Sequence, residues 1–298
     1  MEAKKVNLFL VGAMKAGTTF FSELLEQHPQ IYASPIKEPH FFVKHLSSRF
    51  YQPSKFFELE RYLTEDFPKP LHITKIETLQ QYQKAYSLAT NEKFLLDAST
   101  CYLQAPEAAK LIFEYNPEAK IVIIVRDPLK RAISDYQMNF SLGRLNASFT
   151  EIMEKEIKLY EEGTLSWESY LAMSFYDESI KRYKALFGKN VKVISFEKLV
   201  KNPMEETQAV FSFLGLEQIG VNAQFKKNET RHLRGQLLFY RLKQLGLKDY
   251  FSKIVGQKTR QFIFKMVSSN KKKEIALSSN LNEKIKIIFS QKSTYDPS

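Results

Sequence analysis

Four short runs of apolar and β-branched residues punctuate the chain, at residues 6–11, 94–96, 120–125 and 191–195. Apolarity that is continuous rather than alternating marks strands buried on both faces. Between these runs, apolar residues recur at three-to-four spacing over 18–27, 106–115, 129–140, 149–162, 176–186 and 204–214, which predicts helices. Strands alternating with helices predict an α/β fold: a P-loop-like, mostly parallel sheet with helices on both faces. In such sheets ligands bind beyond the carboxyl ends of the strands, so the residues just after each strand matter most.

Two regions fall outside this alternation. Residues 43–75 are aromatic and basic, with Pro53, Pro68 and Pro70, and read as an irregular excursion carrying a short helix. Long excursions of this kind in α/β enzymes serve as acceptor loops or lids. From about Gln236 onward the three-to-four spacing returns, predicting a helical C-terminal extension. With no linker or repeat in view, the expectation is one domain over 1–298, its core at about 6–230 and a basic helical region at about 236–298.

Composition narrows the class. A chain of 298 residues with 44% hydrophobic content builds a sizeable core. A single cysteine, Cys101, excludes an intramolecular disulfide framework and suits a reducing compartment. Five scattered histidines show no metal-ligand spacing, so no metal is expected. No apolar run reaches the roughly 20 residues of a membrane span. The basic, apolar start (Lys4, Lys5, then Val6 to Met14) imitates a secretory signal, but Lys15 interrupts it and no small-residue cleavage site follows. A cytoplasmic protein is therefore expected.

Charge is unevenly placed. Residues 226–298 hold 17 Lys and Arg against 5 Asp and Glu, whereas residues 1–225 hold 27 against 28. The basic third implies an anionic partner or is a solvated helical face. Between Leu237 and Val267, cations interleave with apolar residues as in interfacial helices, leaving peripheral membrane contact open beside ordinary packing.

The candidate chemistry sits after the first strand, in Gly12-Ala13-Met14-Lys15-Ala16-Gly17-Thr18-Thr19. Glycines let a backbone turn close to an anion, and the N–H groups opening the next helix point at it. Thr18 and Thr19 add hydroxyls and Lys15 a positive charge. A nucleoside-triphosphate P-loop needs Lys directly after the second Gly and then Ser or Thr for Mg²⁺. Here Lys15 precedes Gly17 by two places, and the most apolar strand ends in Arg126 rather than a magnesium-binding Asp. A second anion contact follows from the run Arg126-Asp127-Pro128-Leu129-Lys130-Arg131-Ala132-Ile133-Ser134. Asp127 reads as a helix cap with Pro128 at the first helical position. Arg126 and Ser134 then converge on one phosphate, by guanidinium fork and hydroxyl.

Together these motifs resemble the PAPS-dependent sulfotransferase superfamily. The Lys15–Thr19 loop is similar to its 5′-phosphosulfate loop, and the Arg126…Ser134-Asp135-Tyr136 segment to its 3′-phosphate element. The resemblance implies that Lys15, Ala16, Gly17, Thr18 and Thr19 hold the 5′-phosphosulfate. It also implies that Arg126 and Ser134 hold the 3′-phosphate and that Phe196 sits against the adenine. Lys37-Glu38-Pro39-His40-Phe41-Phe42 resembles the Glu-x-His-Phe-Phe stretch of heparan-sulfate-type, carbohydrate-directed members. That implies Glu38 as catalytic base and His40 as an auxiliary group. Heparan-type members often carry Lys where Ala98 stands, so a cation is missing there or comes from elsewhere. The resemblance fades beyond about residue 230, leaving Arg231, Arg234 and Gly235 as candidates for the basic donor-binding loop of cytosolic members.

The implied reaction is metal-independent sulfuryl transfer from PAPS to a hydroxyl or amine, with PAP as product and a glycan as expected acceptor. A small phenolic or lipid acceptor is the alternative, and a kinase-like phosphotransferase the enzymatic rival. A nucleic-acid-binding protein is disfavoured for want of a recognition helix or aromatic RNA-binding motif. The residue-level alternatives are ordinary ones. Arg126 could form a structural ion pair, Glu38 could pair with Lys37, and His40 beside two phenylalanines could be a satisfied core residue.

Overall fold

A computed structural model describes residues 4–224, 232–233, 268–269, 275 and 277–294. Five parallel strands form the central sheet in the order β2-β5-β1-β6-β7: β2 Ile31–Ala33, β5 Phe94–Asp97, β1 Leu8–Gly12, β6 Lys120–Val125 and β7 Val191–Ser195. Every residue of β1 and β5 is buried, as are Ile121 to Val125 of β6. Successive side chains of a strand point to opposite faces, so both faces of the sheet centre are covered. The apolar runs at 120–125 and 191–195 match β6 and β7 residue for residue.

Among the described residues the helices are α1 Thr18–Leu25, α2 Leu59–Arg61, α3 Leu79–Ala85, α4 Ala108–Tyr115, α5 Pro128–Ser141, α6 Phe149–Glu161, α7 Asp177–Phe187, α8 Phe196–Lys201, α9 Pro203–Leu214 and α10 Ser279–Lys292. The six expected helices all form, with ends moved by at most two residues. Asp127 caps α5 by accepting from the Lys130 amide at 2.8 Å, with Pro128 in the first turn. Ser148 and Glu151 close a reciprocal capping box on α6.

The excursion is more ordered than expected. β3 Ile36–Glu38 and β4 Leu71–Ile73 pair in parallel as a separate two-stranded ribbon, and α2 runs into a π-helical turn over Tyr62–Asp66. A second apolar cluster beside the sheet joins Ala132 and Tyr136 of α5, Met153 and Ile157 of α6, and Ile285 and Phe289 of α10. Of the expected C-terminal helical region, α10 is the one helix among the described residues. The stretch 237–267, like Arg231, Arg234 and Gly235, lies outside the described residues, apart from the short β8 His232–Leu233 and β9 Ser268–Ser269 pair nearby.

Candidate active site

A cleft of about 880 Å³ opens at the carboxyl ends of the strands. Among the residues lining it are Lys15, Gly17, Thr18, Thr19, Glu38, Arg126, Ser134 and Phe196. Two motifs more than 100 residues apart thus meet because β1 and β6 are neighbours in the sheet.

The loop between β1 and α1 is built from backbone. Gly12 has φ 146° and Gly17 φ 82°, conformations that favour glycine. A Cβ on Gly12 would lie 2.7 Å from the Thr100 carbonyl oxygen, and one on Gly17 would lie 2.8 Å from the Phe196 ring. Lys15 takes the left-handed region as well, at φ 72°. Gly17 is the N-cap of α1 and provides no side-chain cap, so the first amides of the helix are available to a bound anion. Ala16 is fully buried and contributes only backbone.

Arg126 leaves the end of β6 and donates from Nη1 to the Lys15 carbonyl at 2.8 Å. Its guanidinium lies 4.5 Å from the centre of the Phe196 ring. The buried Nε of Arg126 has no hydrogen-bond partner among the described residues. Burial pulls the Arg126 pKa down, opposed chiefly by Glu197. A bound anion would offset the charge that burial penalises. Lys15 has its Nζ 3.4 Å from the Met138 sulfur, a weak acceptor. Burial lowers its pKa, Asp135 pulls it back up, and Arg126 and Arg131 push it down again. Ser134 lines the same wall on α5. Phe196, expected against the adenine, packs between Gly17 and Arg126 as the first residue of α8.

Glu38 comes from the β3–β4 ribbon. Its Oε1 is 3.0 Å from Lys37 Nζ, and its Oε2 accepts from the Thr100 hydroxyl at 3.0 Å. Burial alone would raise the carboxyl, but Lys37 and His40 prevail and hold it at about 2. The local pairing with Lys37 therefore exists, and Glu38 reaches the cleft all the same. Lys37 also places a cation beside Glu38, where Ala98 has none. His40 is buried and does not line the cleft; its Nε2 is 3.5 Å from Glu38 and its Nδ1 3.2 Å from the Thr74 carbonyl. The segment is pinned from below: the His40 amide donates to Ser99 Oγ, which donates to Asp97. Burial pushes the Asp97 carboxyl up to about 6 against hydrogen bonds from Ser99, Tyr82 and Tyr102.

Thr100, Arg49, Met138 and Arg144 also line this cleft and were not singled out in the sequence. Thr100 directly follows the β5 region, where the carboxyl-end rule pointed. Arg49 and Arg144 lie in loops with no motif around them.

Comparison with known proteins supports the same reading. A family model described as "Sulfotransferase family" matches residues 7–219. Human heparan sulfate glucosamine 3-O-sulfotransferase 6 is 25% identical over 238 residues, covering 74% of this chain and 56% of that protein. The membrane-associated sulfotransferase kil1 of Dictyostelium discoideum is 24% identical over 180 residues, covering 60% of this chain and 33% of kil1. The matched parts are thus between a third and just over half the length of these relatives. Among solved structures, a sulfotransferase from Alicyclobacillus acidocaldarius superposes with a TM-score of 0.60 at 28% identity, covering 82% of this chain and 95% of that one. Mouse SULT7A1, solved with PAP, shares the fold with a TM-score of 0.50 at 15% identity. By sequence and by fold, the chain belongs to the sulfotransferase family.

Proposed function

We propose that this chain transfers a sulfuryl group from PAPS to a hydroxyl or amine of a glycan, with Glu38 as base and Lys15 at the leaving oxygen. The observation that carries this reading is the gathering of Lys15, Thr18, Thr19, Arg126, Ser134 and Glu38 in one cleft. The 5′-phosphate would lie on the loop amides and threonine hydroxyls, and the 3′-phosphate on Arg126 and Ser134. The acceptor oxygen attacks sulfur in line, and the bond from sulfur to the bridging phosphate oxygen breaks as the new bond forms. The Lys15 ammonium meets the charge growing on that bridging oxygen. Glu38 is a weak base at a pKa of about 2. An alcohol becomes strongly acidic once its oxygen bonds to sulfur, so the carboxylate takes the proton late in the transfer. A sulfuryl group carries less charge than a phosphoryl group, so fixed donors can do what Mg²⁺ does in kinases.

The glycan acceptor is supported by the heparan sulfate relatives and by the Glu38 segment. The basic residues of 226–298 would let the enzyme dock on an anionic membrane surface, in keeping with a membrane-associated relative. No helix among the described residues is long and apolar enough to cross a membrane.

Calorimetric titration with PAP in the absence of metal tests the donor site. PAP should bind more tightly than ATP with Mg²⁺, and Arg126→Ala should weaken it by about thirtyfold or more. A preference for ATP with Mg²⁺, or no PAP binding, would sink the reading.

A further inference from the structure

Beneath Glu38 lies a second carboxylate that the transfer itself does not use. Asp97 ends β5, is buried and is not among the residues lining the cleft. Its Oδ1 accepts from the Ser99 amide at 3.0 Å and from the Ser99 hydroxyl at 2.7 Å. Its Oδ2 accepts from the Tyr82 hydroxyl at 2.7 Å and from the Tyr102 hydroxyl at 3.1 Å. Burial pushes this carboxyl up, and it is these neutral donors, rather than a cation, that chiefly oppose the shift. A buried acid is costly to keep, which points to a role beyond packing.

That role lies one bond further out. A hydroxyl whose proton is committed to a carboxylate has only lone pairs left to offer. The Ser99 oxygen accepts from the His40 amide at 3.1 Å, and the Tyr102 oxygen from the Phe42 amide at 3.3 Å. Asp97 therefore turns two acceptors onto the backbone that follows Glu38. That backbone needs holding, because His40 has φ 49°, a left-handed conformation uncommon in a residue with a side chain. The same turn after β5 reaches the base itself: the Thr100 amide and hydroxyl donate to Glu38 Oε2 at 3.4 and 3.0 Å. Tyr82 adds a stacked contact with Phe41, their ring centres 4.6 Å apart. Residues 97–102 thus grip the Glu38 segment by its backbone and by its carboxylate together.

We propose that Asp97 and Ser99 are positioning residues for the base: acting through Tyr102 and Thr100, they fix the segment that aims Glu38 into the cleft. The inference rests on the transferase reading with Glu38 as base, and it deepens that reading. Their effect is on where the base stands and on what holds its second oxygen. Removing the Ser99 hydroxyl frees the His40 amide, lets the segment relax and weakens the bond from Thr100 to Glu38. Hydrogen bonds to an ionised carboxyl lower its pKa, so their loss moves Glu38 up from about 2 toward the ordinary 4.5.

The experiment uses the full chain saturated with PAP, its glutamate carboxyls labelled with carbon-13 and followed by NMR. The Glu38 resonance is the one missing from Glu38→Gln. In the parent it should hold still between about pH 7 and pH 4. In Ser99→Ala it should titrate within that range, a rise of roughly one unit or more. Exchange of the His40 amide should quicken about tenfold or more in the same variant. Ser99→Thr restores the hydroxyl and should return both readings toward the parent, which repair of packing alone would not do. PAP affinity within about twofold of the parent shows that each variant is folded with its donor site intact. Asp97→Asn, which accepts at one oxygen only, should move Glu38 in the same direction; should it fail to fold, the Ser99 pair decides. The inference is overturned if Glu38 titrates in Ser99→Ala as it does in the parent, or if Ser99→Thr shifts it as far as Ser99→Ala does. Failure of PAP to bind the parent overturns the transferase reading instead, and this inference with it.

Discussion

At the scale of single residues, Glu38 shows how neighbours decide what a carboxylate does. Both of its oxygens are engaged, one by Lys37 and the other by Thr100 with His40 close by. With a pKa of about 2 it is ionised throughout the physiological range. Glu38→Gln should lower kcat by about 10²- to 10⁴-fold while PAP affinity stays within about twofold, as read by turnover and calorimetry together. Parallel loss of PAP binding would remove Glu38 from the role of base. The depressed pKa also has a stability consequence. Because the folded value lies below the ordinary 4.5, the ion pair's contribution is present above pH 4.5 and is lost as pH falls toward 2. Lys37→Met should therefore destabilise the protein by about 1–3 kcal/mol in urea unfolding at pH 7, and by little at pH 2.5. With Lys37 gone, burial dominates and raises the Glu38 pKa. The acidic limb of kcat/KM should then move upward, and a profile unchanged from the parent would show that Lys37 does not set the base.

At the scale of elements, the loop between β1 and α1 is a backbone device. Gly17 combines a left-handed φ with a ring 2.8 Å from where a Cβ would sit. Gly17→Ala should cost about 1–2 kcal/mol of stability from conformation alone. It should also weaken PAP by about tenfold or more, because the first amides of α1 would turn away from the phosphate. A melt and a PAP titration on the same sample check both. The elements that were legible in the sequence are those whose signal is local: long apolar strands such as β6, and helices with their own caps such as α5 and α6. β2, β3 and β4 have three residues each, too few for a period to register. α8, at six residues, starts directly from the end of β7 and is too short for a helical period to register. Lys37 to Phe42 was readable as a motif, while the ribbon that carries Glu38 was not.

At the scale of the whole molecule, α10 reaches back from the end of the chain to support the wall of the active site. Ile285 is fully buried in the cluster with α5 and α6, and α5 bears Ser134 and Met138 on its cleft side. Ile285→Ala should cost about 2–5 kcal/mol by the cavity it leaves, measured by urea unfolding. In the fraction that stays folded, PAP affinity should change little, since Ser134 and Met138 line the cleft from the opposite face of α5. A loss of affinity out of proportion to stability would mean that α10 tunes the cleft as well as holding it.

The chain's own sequence determined the class of fold and the glycine-bounded loop after β1, because both are written locally. Continuous apolar runs imply covered strands, glycines at fixed places admit a turn, and Asp127 with Pro128 begins a helix wherever it stands. Only the tertiary structure decided which side chains surround the reacting groups. Thr100 reaches Glu38 across 62 residues, Arg49 reaches Asp135 across 86, and Arg144 meets Arg49 across 95. Pairings at such separations follow from strand order and from how the 43–75 excursion closes on α5, and no local period encodes them. The loop that would hold the donor is therefore legible in the sequence, while the contacts of Arg49 and Arg144 exist only in the folded chain.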